Sequence, residues 1–151
     1  MQTLTLLVGL PASGKSTYTQ QYIAQDGIMV LSSDAIRGEL FNDETNQDNN
    51  SLVFKTLYSR AREALIRGDN VIIDATNINI RDRKRVLDNF TDLNIRREAI
   101  IFDTPTFICI ERDKNRLRTV GKKVIFNMKS RYQRPTKQEG FDKITIIRFK
   151  K

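Results

Sequence analysis

The sequence predicts an α/β fold in which a mostly parallel sheet of about five strands lies between two layers of helices. Along the 151 residues, short apolar runs alternate with longer segments of helical periodicity, the pattern of a parallel sheet covered on both faces. Neither a linker rich in Pro, Gly or Ser nor an internal repeat interrupts this alternation. Residues 1–151 are therefore expected to form a single domain.

Each element follows from local composition. Strands are predicted at the short apolar runs, which are 4–8, 28–31, 70–74, 95–102 and 144–149. Helices are predicted at the segments with helical spacing, which are 17–24, 52–66, 81–90, 104–118 and a further stretch ending near 131. Gly27 and Gly68 suit the ends of the first two helices, and Pro105 suits a first helical turn. The Asn- and Asp-rich residues 42–51 predict a mobile surface loop.

A glycine-rich loop joins the first strand to the first helix. Residues 9–16 read GLPASGKS and complete the pattern G-x-x-x-x-G-K-[ST] in the strand-to-helix context that a phosphate-binding P-loop requires. Lys15 would reach the β and γ phosphates of ATP, and the Ser16 hydroxyl would ligate Mg²⁺. An ordinary turn rarely meets all four constrained positions. The sequence therefore predicts a P-loop NTPase-type fold whose loop backbone holds the nucleotide through Gly9, Ala12, Ser13 and Gly14.

Composition limits the chemistry and suggests a partner. Residues 1–80 hold 6 Lys and Arg against 9 Asp and Glu, whereas residues 81–151 hold 20 against 9. This basic second half suits a polyanion such as nucleic acid, although a solvated basic surface is the alternative. The absence of histidine and the single Cys109 exclude His-based catalysis, zinc chemistry and an internal disulfide. Without a signal peptide or a membrane-spanning apolar run, we expect a soluble cytoplasmic protein, in the host cytoplasm if phage-encoded.

Asp34 and Arg37 follow the second predicted strand, at the carboxyl edge of the sheet where the P-loop must also lie. An aspartate at this position often caps a helix. Beside a P-loop, however, its carboxylate is placed to accept the proton of an attacking hydroxyl. Arg37 lies one helical turn further on and would share its face. We predict Asp34 as the general base and Arg37 as a cation that binds an anionic acceptor.

Asp74 ends the third predicted strand and would aim its carboxylate at the nucleotide. In that position Asp74 would hold Mg²⁺ together with Ser16. Thr76 and Asn77 follow two and three residues later and would face the substrate. The alternative is that Asp74 caps the next turn and that Thr76 and Asn77 are turn formers.

A basic cluster lies in the second half of the chain, at Arg112, Arg116, Arg118, Lys122 and Lys123. Arg112 and Arg116 are four residues apart and would project from one helical face, with Gly121 as a hinge. Either arginine would stabilise the charge that develops on a transferring phosphoryl group. A solvated basic helix is the alternative.

The order of these motifs resembles that of the P-loop 5′-OH polynucleotide kinases of phage and bacterial end-healing systems. The segments that carry the resemblance are the 9–17 loop, Asp34-x-x-Arg37, D-A-T-N at 74–77, Arg112-x-x-x-Arg116, RPT at 134–136 and EGFD at 139–142. In that family Asp34 corresponds to the general base and Arg37 to the residue that grips the phosphate next to the 5′ end. The residues that match its nucleotide, metal and lid positions are Lys15, Ser16, Thr17, Arg112 and Arg116, with a helical lid at about 112–134.

The resemblance implies ATP- and Mg²⁺-dependent phosphoryl transfer to the 5′-OH end of DNA or RNA, with Lys15, Asp34 and Arg116 as the catalytic residues. The same parts would also serve a kinase of a small hydroxylated metabolite or nucleoside. A nucleotide-dependent switch without transfer is less favoured because no N-K-x-D motif is present. Many relatives carry a phosphatase or ligase domain, but this sequence has no D-x-D-G-T motif. We therefore expect a separate phosphatase or ligase as a partner in repair.

Overall fold

The computed structural model describes residues 1–42 and 50–149. Its strands are β1 Thr3–Val8, β2 Ile28–Ser32, β3 Asn70–Asp74, β4 Arg96–Asp103 and β5 Lys143–Arg148. They form one five-stranded sheet in the order β2-β3-β1-β4-β5, and every neighbouring pair is parallel. The predicted α/β class is confirmed, and the described sheet is wholly rather than mostly parallel.

The helices are α1 Lys15–Gln20, α2 Ser33–Phe41, α3 Asn50–Arg67, α4 Ile80–Leu87, α5 Thr106–Lys114 and α6 Lys122–Ser130. Arg37 was placed one helical turn beyond Asp34, but no bounds were predicted for a helix there, and the structure places α2 at Ser33–Phe41. Its first turn is capped by Ser32, whose Oγ accepts a hydrogen bond from the backbone N–H of Ala35 at 3.2 Å.

Three predicted boundaries were wrong. Helix α1 ends at Gln20 rather than near 24, and successive turns follow it. Helix α5 ends at Lys114 rather than near 118. Of the predicted loop 42–51, residues 43–49 lie outside the described residues, while Asn50 and Ser51 already belong to α3.

The core lies on both faces of the sheet because successive side chains of a strand point to opposite sides. On one face Leu4, Leu6 and Val8 of β1 pack with residues of α3 and α4 in the larger cluster. On the other face Leu7 packs with Ile72, Ile100 and Phe102, beneath the partly buried Tyr18 and Tyr22. The central strand is thus fully covered, as a parallel sheet requires.

The turn after β3 is tied to the end of β1, which fixes the two segments relative to each other. The side-chain amide of Asn77 donates to the carbonyl of Leu7 at 2.8 Å. The backbone N–H of Gly9 donates to the carbonyl of Thr76 at 3.0 Å. Asn77 adopts φ 48, a left-handed conformation that asparagine tolerates better than most residues. The carboxyl ends of β1 and β3 are therefore held side by side.

A buried ion pair supports this turn from behind. The Arg83 side chain is 0% exposed, and its Nε donates to Glu139 Oε1 at 2.7 Å. Its NH1 group donates to the carbonyl of Asn77 at 2.8 Å. Glu139 belongs to the 3₁₀ turn Lys137–Glu139, so the pair joins α4, this turn and the β3 end. The C-terminal segment before β5 is thereby anchored to the site's scaffold.

Candidate active site

The loop after β1 wraps around the Lys15 side chain. Lys15 Nζ donates to the carbonyls of Gly9 and Leu10, both at 2.8 Å. Ala12 at φ 63 and Gly14 at φ 111 have the positive φ that turns successive backbone N–H groups towards an enclosed anion. A Cβ at Gly9 would lie 2.6 Å from Ser13 Oγ and 3.1 Å from Cβ of Phe102. Glycine at this position therefore lets the loop pack against β4.

Lys15 is almost completely buried at the base of this loop. Burial lowers the pKa of its ammonium group to about 8, although the nearby Asp74 carboxylate opposes the shift. A phosphate arriving in the loop would favour the protonated form. Lys15 is thus a cation whose charge is stabilised by the ligand that it would bind.

Ser16 and Asp74 lie next to each other beneath the loop. Ser16 Oγ donates to Asp74 Oδ2 at 3.4 Å, and Asp74 is buried. Burial raises the pKa of the Asp74 carboxyl, while Lys15 and the Ser16 hydrogen bond oppose the shift. Asp74 does not cap α4, because Asn79 Oδ1 accepts the N–H of Asp82 at 2.8 Å and fills that position.

These two oxygen donors fit Mg²⁺. A hydroxyl and a carboxylate oxygen are ligands that Mg²⁺ accepts, and it commonly takes only one or two protein ligands together with substrate phosphates and waters. Within 1–42 and 50–149, no group of three or more His, Cys, Asp and Glu residues is arranged to hold a metal ion. Ser16 and Asp74 would therefore hold Mg²⁺ only jointly with a bound nucleotide.

Asp34 lies across the cleft in the first turn of α2. Because Ser32 is the cap of that helix, the Asp34 carboxylate is not used for capping. Its Oδ1 accepts from Arg37 NH1 at 2.7 Å, and its Oδ2 accepts from Arg118 NH2 at 2.8 Å. Arg37 is buried and also donates to Asn50 Oδ1 at 2.8 Å. The predicted base therefore stands between two guanidinium groups.

The loop between α5 and α6 is organised by Asp113. Its carboxylate accepts the backbone N–H groups of Val120 at 3.1 Å and Gly121 at 2.9 Å, and it pairs with Arg116. Although burial acts to raise it, hydrogen bonds from the Gly121 and Val120 backbone lower the pKa of the Asp113 carboxyl. These bonds draw the chain back on itself, which explains why α5 ends at Lys114.

This helical pair, α5 and α6, packs on the P-loop, and we call it the lid after the role predicted for residues 112–134. Leu10 of the loop contacts the buried Cys109 and Ile125 in one apolar cluster. Arg112 of α5 donates from NH1 to the carbonyl of Ala12 at 3.4 Å. Burial raises the pKa of the Cys109 thiol, so Cys109 packs in this cluster as a small apolar residue.

The P-loop, α2, the β3 end and the lid enclose a cleft of about 1310 Å³. The predicted site residues that line it are Ala12, Ser13, Gly14, Lys15, Ser16, Thr17, Asp34, Arg37, Asp74, Thr76, Arg112 and Arg116. Gly9 and Asn77 do not line it. The Asn77 amide is used on the carbonyl of Leu7, so its position corrects the prediction that it faces the substrate.

Other residues of the cleft were missed. Arg118 stood in the predicted basic cluster but had no assigned contact, and it reaches Asp34. Thr104 follows β4, and its Oγ1 donates to the carbonyl of Ser13 at 2.8 Å. Phe149 follows β5, and its ring lies 5.5 Å from the guanidinium carbon of Arg112. For Thr104 and Phe149 the available signal was their position after parallel strands, because such strands end at one edge of the sheet.

Comparison with known proteins places the chain in a family. The family described as "AAA domain" matches residues 4–135. The chain belongs to this AAA domain family. A bifunctional polynucleotide phosphatase/kinase of Schizosaccharomyces pombe is 30% identical to it, across 99% of this chain and 34% of the relative. The L-seryl-tRNA(Sec) kinase of Methanococcus maripaludis is 25% identical, across 92% of this chain and 56% of the relative.

Solved structures agree with this assignment. A chain in the structure of the Pnkp1/Rnl/Hen1 RNA repair complex is 26% identical and superposes with a TM-score of 0.75. The match covers 86% of this AAA domain chain and 43% of the chain in that complex. The AAA domain chain thus spans between a third and little more than half of the curated relatives' length. The predicted resemblance to polynucleotide kinases is confirmed at the level of homology. Among the described helices, none combines the length and apolar character needed to cross a bilayer.

Proposed function

We propose that this domain transfers the γ-phosphoryl group of ATP to the 5′-hydroxyl end of a polynucleotide. The observation that carries the proposal is the ion pair of Asp34 with the buried Arg37, at 2.7 Å, in the cleft that Lys15 also lines. A carboxylate next to a fixed cation suits an acceptor that presents a hydroxyl and a nearby phosphate. The homology to a polynucleotide phosphatase/kinase supports the same acceptor.

The order of the strands supports separate binding places for the donor and the acceptor. Strand β1 lies between β3 and β4, so the P-loop is central, Asp34 follows the edge strand β2, and Phe149 follows β5, where its N–H donates to the carbonyl of Asp103 at 3.3 Å. With the phosphates of ATP in the P-loop, the acceptor would enter on the β2 side. The donor nucleoside would extend towards Arg112 and Phe149, whose stacked guanidinium and ring offer a flat surface for a base.

Unpartnered polar atoms in the cleft support an anionic ligand. Three buried side-chain atoms have no hydrogen-bond partner among the described residues, namely Ser13 Oγ, Arg37 Nε and Arg116 Nε. All three residues line the cleft. Buried donors without partners are uncommon, and phosphate oxygens would satisfy them.

In the proposed reaction the chain's residues position and stabilise rather than react covalently. Asp34 accepts the proton of the attacking hydroxyl, and Arg37 binds the adjacent phosphate. Lys15 and Arg116 stabilise the charge on the transferring group. Ser16 and Asp74 would hold Mg²⁺, which supplies charge neutralisation at the phosphates when bound.

A second acceptor class is favoured by one specific observation, the 25% identity to a kinase named for L-seryl-tRNA(Sec). An acceptor of that kind presents an aminoacyl hydroxyl rather than a 5′ end. The same base and P-loop would serve a small hydroxylated metabolite. A polynucleotide 5′ end has a phosphate next to its hydroxyl, and Arg37 would bind that phosphate. The second class of acceptor lacks this neighbouring phosphate.

The test is an acceptor panel incubated with γ-labelled ATP. It contains a 5′-OH oligodeoxynucleotide, a 5′-OH oligoribonucleotide, a 3′-phosphorylated nucleoside, a free nucleoside and seryl-tRNA, with a 5′-phosphorylated oligonucleotide as the blocked control. We expect labelling of the 5′-OH oligonucleotides and the 3′-phosphorylated nucleoside well above the free nucleoside. Arg37→Ala should remove most of that difference, whereas Arg67→Ala, outside the cleft, should leave it unchanged. Equal labelling of free nucleosides and oligonucleotides, insensitive to Arg37→Ala, would refute the polynucleotide acceptor.

A further inference from the structure

An open hollow of about 440 Å³, separate from the cleft, lies between the start of α4 and the segment that follows α6. Two hydrogen bonds hold its two sides together. The backbone N–H of Gln133 donates to the carbonyl of Ile78 at 2.7 Å, and Gln133 Oε1 accepts from the backbone N–H of Ile80 at 3.1 Å. Polar and aromatic residues of both segments line the hollow, namely Asn79, Arg81, Ser130, Arg131, Tyr132 and Gln133.

The hollow is positively charged. The Arg81 side chain is 77% exposed, and its Nε lies 3.9 Å from Asp82 Oδ1, so this ion pair is weak. Arg131 is exposed and has no ion-pair partner among the described residues. The Lys129 ammonium group lies 5.6 Å from the centroid of the Tyr132 ring and adds a third cation beside the hollow. With Asp82 as the neighbouring carboxylate, these three cations leave the hollow basic, which suits a polyanion.

The hollow lies next to the cleft, on the side of the proposed acceptor. The turn after β3 contributes Thr76 to the cleft and Asn79 to the hollow, and α6 contributes Met128 to the cleft and Ser130 to the hollow. Three residues span at most about 11 Å, so these walls of the cleft and the hollow lie within that distance of each other. Strand β3 borders β2, which leads to Asp34, whereas the proposed donor surface follows β4 and β5. A strand whose 5′ end reaches Asp34 is therefore placed to continue across the hollow.

We propose that this hollow binds the phosphodiester backbone of a nucleic acid strand whose 5′ end lies in the cleft. The inference rests on the proposed polynucleotide acceptor and extends it from the terminal nucleotide to nucleotides further along the strand. Guanidinium groups bind phosphate oxygens through paired N–H donors, which is the contact that Arg81 and Arg131 offer. Contacts to phosphates carry no sequence information, so the hollow selects acceptors by their length rather than by their bases.

The size of the expected effect follows from counterion release. For single strands, each phosphate contact contributes about 0.7 to the slope of log affinity against log salt concentration. On going from about 1 M to about 0.1 M salt, one contact therefore strengthens binding about fivefold and two contacts about 25-fold. Removing both arginines of the hollow should weaken binding about 5- to 25-fold at about 0.1 M salt, and it should lower the magnitude of the slope by about 0.7–1.4.

The experiment compares the wild type with Arg81→Ala/Arg131→Ala in fluorescence anisotropy titrations and in transfer assays with γ-labelled ATP. The ligands are a 5′-OH dinucleotide and a 5′-OH dodecanucleotide, each as DNA and as RNA. For the dodecanucleotide the variant should bind more weakly and show a higher KM with kcat unchanged. The dinucleotide should not respond, because it has no phosphate beyond the one that Arg37 would bind. Arg62→Ala/Arg67→Ala removes the same charge from α3, outside the hollow and the cleft, and should match the wild type.

The outcomes separate this inference from the proposed acceptor. An equal loss in the α3 control variant, or an equal loss for the dinucleotide and the dodecanucleotide, overturns the inference. Binding of poly-glutamate as tight as that of the dodecanucleotide, and lost in the same variant, would overturn it in favour of an acidic protein. If the dodecanucleotide is labelled with a KM that the hollow variant leaves unchanged, the acceptor stands and the hollow fails. If it binds with the expected dependence on length and on the hollow but is not labelled, the proposed transfer fails and the hollow remains a strand-binding surface.

Discussion

Replacing Arg83 by Ala is expected to destabilise the fold by about 3–5 kcal/mol, because it leaves a buried carboxylate without its cation. The Arg83 side chain is fully buried, and that of Glu139 is 9% exposed. The substitution removes hydrogen bonds of 2.7 and 3.2 Å to Glu139 and one of 2.8 Å to the carbonyl of Asn77. At roughly 2–4 °C per kcal/mol, the melting temperature should fall by about 6–20 °C.

Urea denaturation of four proteins measures this loss. They are the wild type, Arg83→Ala, Glu139→Gln and the double variant, whose loss should be smaller than the sum of the two single losses because the partners interact directly. Arg60→Ala is the matched control. Its pair with Glu39 is exposed, so it should cost at most about 1 kcal/mol.

An Arg83→Ala loss no larger than that of the Arg60→Ala control would refute the reasoning. So would strict additivity in the double variant. The expected loss also reaches the site, because the Asn77 carbonyl belongs to the turn that holds β3 beside the P-loop. Nucleotide affinity, measured at a temperature where the variant is folded, should therefore fall as well.

Three further substitutions test the cleft directly. Lys15→Ala should abolish transfer. In the wild type, nucleotide affinity should fall as pH rises through about 8, because Lys15 then loses its proton. Calorimetric titrations should show no such pH dependence in Lys15→Ala. Asp34→Asn should retain nucleotide binding and lower turnover about 10²–10⁴-fold. Unchanged turnover would exclude Asp34 as the general base. Arg116→Ala should lower kcat more than it raises the acceptor KM, and a change confined to KM would place Arg116 on the acceptor.

Local signals in the sequence were sufficient for much of the fold. The five strands were predictable because each is a compact apolar run, and the P-loop because its glycines and Lys15 are adjacent in the chain. The bounds of helix α2 were not predictable, since its residues mix apolar and charged side chains without a clear stripe. Its start depends on the Ser32 cap, and its ion pairs reach other parts of the chain.

The site contacts that escaped prediction join residues far apart in sequence. Arg118 and Asp34 are separated by 84 positions, and Asn77 and Leu7 by 70. No periodicity or motif relates such pairs, because the sheet order alone brings them together. For this reason Asn77 was predicted to face the substrate, whereas its side-chain amide donates to the carbonyl of Leu7 in β1.

The early end of α5 decides what the lid arginines reach. In a helix each residue advances about 100°, so a helix continued through 118 would align Arg112 with Arg116 and turn Arg118 about 200° away from Arg116. Instead the Asp113 carboxylate accepts hydrogen bonds from the backbone N–H groups of Val120 and Gly121, and the chain reverses. Arg112 then contacts the P-loop carbonyl of Ala12 while Arg118 reaches Asp34. A single carboxylate outside the cleft thus lets one short segment contact both the P-loop and Asp34.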